Sequence, residues 1–198
     1  SLACEKYCAD CCTANVTMTG LEAELMLESM GAAQRDGLLK IMADHQNARR
    51  FQPRMTTNQY AALCRAGQTP PEEQNPPDAG KCPLLAKDAC TLYGLRPFVC
   101  RCMVSSRPCR AHGHAEVDDF TLTVNTVFLQ FIEHLDHGGF FGNFRDVVLR
   151  VGGGCREAAD GCVTVSNHPI SMLMVPPEHH ERIRQLVDEL SGIVAGVG

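Results

Sequence analysis

Four cysteines crowd nine residues near the start of the chain, Cys4, Cys8, Cys11 and Cys12, and a second dense stretch holds Cys82, Cys90, Cys100, Cys102 and Cys109. Thiolates two or three residues apart on a loop can converge on one ion, because the chain turns once between them; zinc or an iron–sulfur cluster then holds the loop in place. Adjacent residues such as Cys11 and Cys12 project in different directions, so the pair fits a multinuclear site or two neighbouring sites better than one tetrahedral ion. The later gaps, from Cys82 to Cys90 and from Cys90 to Cys100, match neither a zinc ribbon nor the short-gapped ferredoxin run. Spacing therefore points to a metal site without naming the metal, and it does not decide whether Cys102, Cys109 or His112 join it. Disulfides are the rival use, since twelve cysteines is an even number.

The remaining polar residues carry blander expectations. Cys64 is expected on the buried face of a short helix, and Cys155 and Cys162 flank a loop as a disulfide or as free thiols. His112 and His114 read as solvated loop residues, His179 and His180 as an exposed first helical turn, and Glu133, His134 and His137 as a solvated helix face. Asp118-Asp119 is a helix cap rather than a catalytic pair. The Gly152-Gly153-Gly154 run lacks the Lys-Ser/Thr of a phosphate loop, which argues against nucleotide binding.

The elements that must position these groups are mostly helical. Thr19-Gly20-Leu21-Glu22 has the form of a capping box, followed by Leu21, Leu25, Met26 and Met30 at helical spacing. Leu38, Ile41, Met42 and His45 mark a second helix, and Thr56 caps a third that runs through Tyr60, Leu63 and Cys64 to Gly67. Residues 67–81, with two Pro-Pro pairs, form a linker that returns the chain to the N-terminal cysteines. Beyond it, Val124, Val127, Phe128, Phe131, Ile132 and Leu135 predict one helix, and Phe144, Val147, Val148 and Val151 another. Pro176-Pro177 opens a last helix carrying Ile183, Leu186, Val187, Leu190, Ile193 and Val194. Alternation at Val163-Val165 and Ile170-Met172-Met174 suggests a small β-hairpin.

The expected architecture is thus a single mostly α domain over 1–198, with Cys-rich metal-binding segments at 4–16 and 82–114 and a helical part at 118–198. Its 198 residues are long enough to bury a core without disulfide staples, so the cysteines serve something other than stability. A 44% hydrophobic, 21% charged composition excludes a largely disordered chain, and no apolar run is long enough to span a membrane. A net charge of −5 argues against general binding to nucleic acid or anionic membranes. No apolar signal core opens the chain, so a cytoplasmic location is expected.

The cluster ending in Cys11-Cys12, followed by Cys82-Pro83-Leu84-Leu85, Cys90-Thr91-Leu92-Tyr93, Arg96-Pro97 and Cys100-Arg101, resembles the bacterial cysteine-cluster proteins called YkgJ-like, the CxxCxxCC family. The resemblance covers residues 4–103. One gap departs from the family pattern: three residues separate Cys4 from Cys8 where the family has two. The resemblance implies chelation of zinc or iron, with an iron–sulfur cluster in some relatives, through Cys4, Cys8, Cys11, Cys12, Cys82, Cys90 and Cys100. Arg96 and Arg101 would offset thiolate charge, and Tyr93 would pack over the site. The leading expectation is a metal-binding protein whose partner is the ion. An iron–sulfur enzyme of redox or group-transfer chemistry, and a secreted disulfide-bonded interaction module, are the alternatives.

Overall fold

The computed structural model describes residues 2–5, 7–45, 49–76, 78–155 and 161–196, and within them helices dominate two small antiparallel sheets. Strand β1 (Thr17–Thr19) runs directly into helix α1 (Gly20–Glu28). The Thr19 hydroxyl accepts the Glu22 N–H, and the Glu22 carboxylate accepts the Thr19 N–H, which is the reciprocal cap its sequence predicts. Helix α2 (Ala32–Asp44) follows and buries Leu38 and Met42.

Thr56 caps α3 (Thr57–Arg65), but the helix is turned differently from expectation: Cys64 is exposed, and the buried residues are Asn58 and Ala61. Polar anchoring decides the face. The Asn58 side-chain amide donates to the Gln130 and His168 carbonyls, and its backbone N–H donates to the Glu133 carboxylate at 2.8 Å. Glu133 also accepts the His168 N–H, so this residue, expected in solvent, is buried because it terminates two backbone donors. His134 is half-buried, with its Nδ1 3.3 Å from the Ile170 N–H, whereas His137 is exposed as expected.

After the cysteine-rich segment, Asp118 caps the helix Asp119–Leu135, accepting the Thr121 N–H at 3.0 Å. This helix packs against Pro177–His179, a 3-10 turn, and the helix His180–Ala195 behind it. Together they bury Val127, Phe131 and Ile183, with Leu186, Val187, Leu190 and Val194 around them. His179 is buried rather than exposed: its Nδ1 lies 2.8 Å from the Thr123 hydroxyl and its ring meets Phe120 edge-on.

The three-stranded sheet corrects the hairpin expectation. Thr164–Ser166 is a strand, but its partner is the strand Phe140–Asn143, which also pairs with β1. Residues 170–174 form no strand, because the Gln130 side chain takes their backbone groups, donating to the Met172 carbonyl and accepting the Met174 N–H. Gly142 sits in the central strand where a Cβ would lie 2.9 Å from the Val163 carbonyl oxygen. Helix Phe144–Val151 then packs on α1 and α2, burying Val147, Val148 and Leu149 against Met18, Met26, Leu27 and Met42. Beneath it, the fully buried Asp146 accepts from Arg50 Nε at 3.0 Å and Arg145 Nη1 at 3.1 Å. Cys155 and Cys162 form a disulfide. Among the described residues, no helix is long and apolar enough to cross a membrane.

Candidate metal centre

The N-terminal cysteines lie on consecutive tight turns. The Cys8 N–H donates to the Glu5 carbonyl, Cys12 to Ala9 and Thr13 to Cys11. The Ala3 N–H donates to the Ser105 carbonyl at 2.8 Å, which fastens the start of the loop to the far end of the second cysteine segment.

The 67–81 linker, described except at residue 77, carries no helix or strand and ends on Gly80 at φ +79°, a left-handed turn. There the Gly80 carbonyl accepts the Ala14 N–H, Thr13 bridges Lys81, and the Cys82 N–H donates to the Cys12 carbonyl at 2.9 Å. Residues seventy positions apart thus become backbone neighbours. A hairpin follows, β2 (Leu85–Ala86) against β3 (Ala89–Cys90), with Leu85 opposite Cys90. Its two turn residues, Lys87 and Asp88, both take positive φ, the twist a two-residue hairpin demands. Leu84 and Leu92 seat this segment on the main core.

Cys100 reaches the same place on a short helix, Phe98–Cys102, preceded by the 3-10 turn Tyr93–Leu95 and by Pro97. The helix is held by α1: the second oxygen of the Glu22 carboxylate accepts the Phe98 N–H at 2.8 Å. One side chain therefore caps α1 and fixes the segment carrying Cys100. Local sequence predicts the cap and carries no signal for the long-range bond.

The thiols interact electrostatically in two groups. Burial first, and then the neighbouring Cys82, Cys12 and Cys90, push the Cys100 thiol up to about 12. Cys12 is raised by burial and then by Cys82 and Cys90; Cys82 is raised by burial and by Cys90, against a hydrogen bond from the Leu84 N–H. These four are thus electrostatic neighbours. Cys11 is pushed up to about 11 by burial first, then by Cys12, with smaller contributions from Cys8 and Cys4. Among the described residues, no three Cys, His, Asp or Glu side chains already stand in a geometry ready to hold an ion. The donor chemistry nevertheless fits a soft or borderline metal: half-buried thiols facing like neighbours lose that mutual repulsion when a cation sits between them.

The other predicted participants divide. Arg96 lowers the thiols of Cys12 and Cys100, as a charge-offsetting residue should, and it lies 3.7 Å over the Tyr93 ring. Tyr93 is 62% exposed, with the Arg96 guanidinium stacked on its ring. Arg101 instead braces the turn, donating to the Arg96 and Gly94 carbonyls. The Cys102 sulfur donates to the Val99 carbonyl and is raised by burial and, more weakly, by Glu22. Cys109 opens the four-residue helix Cys109–His112, which Arg110 ties to Asp10 of the N-terminal loop at 3.0 Å. The side chain of His112 lies outside the described residues. Cys64, on α3, faces solvent.

No curated protein and no solved structure matches this chain. The profile of a family described as "CxxCxxCC: Putative zinc- or iron-chelating domain" matches residues 3–123, more than half of the sequence and all of the segment in which Cys4 through Cys109 lie. The chain belongs to the CxxCxxCC family of metal-chelating domains.

Proposed function

We propose that the protein holds zinc or iron through Cys12, Cys82, Cys90 and Cys100 as one thiolate centre, with Cys4, Cys8 and Cys11 forming an adjoining set that shares its boundary at Cys11-Cys12. The observation that carries this reading is the 2.9 Å hydrogen bond from the Cys82 N–H to the Cys12 carbonyl, which joins the two cysteine segments at their ligands. The raised thiols of Cys12, Cys82 and Cys100 support it, since the repulsion they would feel as thiolates is offset by a cation bound between them.

Zinc is the ion we favour for the isolated protein, because thiolate-rich sites capture it readily; an iron–sulfur cluster is the alternative loading. Either would clamp the N-terminal loop to the 82–100 segment, contributing folding energy as structural metals do. Ten of the twelve cysteines are unpaired, which suits a reducing compartment, and we read the protein as cytoplasmic. We further read residues 1–198 as one domain, with Cys-rich segments 4–16 and 82–114 and a helical part 118–198.

The test is metal analysis and visible absorption of protein purified without oxygen, on the native sequence and on Cys82→Ser and Cys100→Ser. Stoichiometric zinc in a colourless protein, or stoichiometric iron with broad absorption, lost in both variants, supports the reading. Native protein that contains neither metal and takes up neither on addition overturns it.

A further inference from the structure

Polar atoms shut away from water are nearly always hydrogen-bonded, because an unmet one forfeits its bonds to solvent. His45 departs from that rule: its Nε2 is buried and has no hydrogen-bond partner among the described residues. The backbone of the same residue is fully engaged. As the C-cap of α2 it donates its N–H to the Ile41 carbonyl, and its own carbonyl accepts Arg145 Nε at 3.0 Å. Arg145 in turn donates to the buried Asp146. The point from which the imidazole projects is therefore fixed, while Nε2 is left over. His45 lines a partly open cavity of about 40 Å³ that Cys82, Cys90 and Cys100 also line. Three of the proposed ligands border this space, so it belongs to the thiolate centre. The other nitrogen-bearing side chains there already have partners: Asn143 the Ala14 carbonyl and the Arg145 N–H, Arg50 the Asp146 carboxylate, and Arg96 the Tyr93 carbonyl and ring.

We propose that His45 is a positioning residue of the metal centre, its Nε2–H donating to a thiolate sulfur of Cys82, Cys90 or Cys100 once a cation is bound. The proposal rests on the chelation reading. Four thiolates outweigh one divalent cation, so the loaded centre is anionic, and its half-buried sulfurs carry that excess charge with little water to stabilise it. An N–H donor aimed at a metal-bound sulfur supplies the missing stabilisation and fixes the ligand's orientation. Among the described residues no three donors already stand ready to hold an ion, so loading moves side chains at this cavity, and Nε2 gives up no bond in joining them. Ligation by His45 itself is not required, because the four proposed thiols complete a tetrahedral set.

The test loads the full reduced chain with spin-active cadmium, a stand-in for zinc, and records the His45 ring in proton–nitrogen spectra. The expected result is an Hε2 resonance that exchanges slowly with solvent and couples to the cadmium nucleus, a coupling carried through an N–H···S–Cd path. Bound cadmium with no coupling to the His45 ring overturns the proposal. So does a direct coupling of cadmium to Nε2 with Hε2 lost, which would make His45 a ligand. Protein that takes up no cadmium overturns the chelation reading and this proposal with it, whereas cadmium held by the thiols without His45 overturns this proposal alone. His45→Phe should lower zinc affinity by about 10–100-fold in competition with a chromophoric chelator. His45→Gln, which keeps an N–H donor, should recover part of that loss, and the metal-free His45→Phe chain should melt no earlier than the native one. Earlier melting of metal-free His45→Phe with zinc affinity unchanged would mark a merely structural histidine and overturn the role. Should His45→Phe misfold, the coupling in the native chain decides.

Discussion

Zinc binding to the reduced, metal-free protein should expel about one proton from each of its four proposed ligands, Cys12, Cys82, Cys90 and Cys100, because a thiol must lose its proton to ligate. Burial raises Cys12, Cys82 and Cys100 above their ordinary value, neighbouring thiols, Cys90 among them, raise them as well, and Cys100 reaches about 12. At pH 7 a thiol at about 12 is ionised in only about one molecule in 10⁵, so the metal-free site is protonated and the ion must displace those protons. Lowering the pH strengthens the competing protons and weakens zinc, by about ten-thousandfold per pH unit for four protons. Isothermal titration in buffers of different ionisation enthalpy measures the count directly. Cys82→Ser should lower it by about one, while Cys64→Ser, on the exposed face of α3, should leave it unchanged. Release of fewer than two protons by the native protein, or an equal loss in Cys64→Ser, would refute the grouping of these thiols.

Glu22→Ala should remove the acceptor of both the Thr19 and Phe98 N–H groups, lowering stability by about 1–2 kcal/mol and weakening cobalt binding, with Glu22→Gln retaining part of each; unchanged melting and unchanged cobalt titration in Glu22→Ala would count against its double role. Asp146→Asn removes the buried carboxylate to which Arg50 and Arg145 both donate and should cost about 3–5 kcal/mol, read by urea unfolding. Thiol titration of denatured native protein should find ten reactive groups without reductant and twelve with it. Replacing both Cys155 and Cys162 by serine should lower stability by about 2 kcal/mol, the entropy of the short loop they close.

Local signals in the sequence were faithful where the physics is local. Thr19, Thr56 and Asp118 all cap helices because a short side-chain oxygen next to free N–H groups needs nothing from the rest of the chain. The helices from Asp119 and Phe144 follow their apolar periodicity for the same reason. Cys64 was misread because the buried face of α3 is chosen by Asn58, whose partners lie more than seventy residues away. The strand partner of Val165 was misread because Gln130 had already engaged residues 172 and 174. The hairpin at Cys90 went unseen since Lys87-Asp88 carries none of the glycine that usually marks such a turn. Within the site, cysteine type and spacing singled out the seven candidates. The division we propose at Cys11-Cys12 rests on where the proline-rich linker returns, which the Ala14–Gly80 and Cys12–Cys82 hydrogen bonds fix and spacing does not.

The shared family segment stops at residue 123, within the opening turns of a helix that continues to Leu135. Just upstream of α1, β1 borrows its hydrogen-bonding edge from residues 141–143, the Ala14 carbonyl is held by the Asn143 amide at 2.8 Å, and the Val16 carbonyl by the Phe144 N–H at the same length. The unit that recurs among relatives is consequently not portable from this protein. Grafting residues 3–123 elsewhere would sever one helix and strip the cysteine loop of its anchorage.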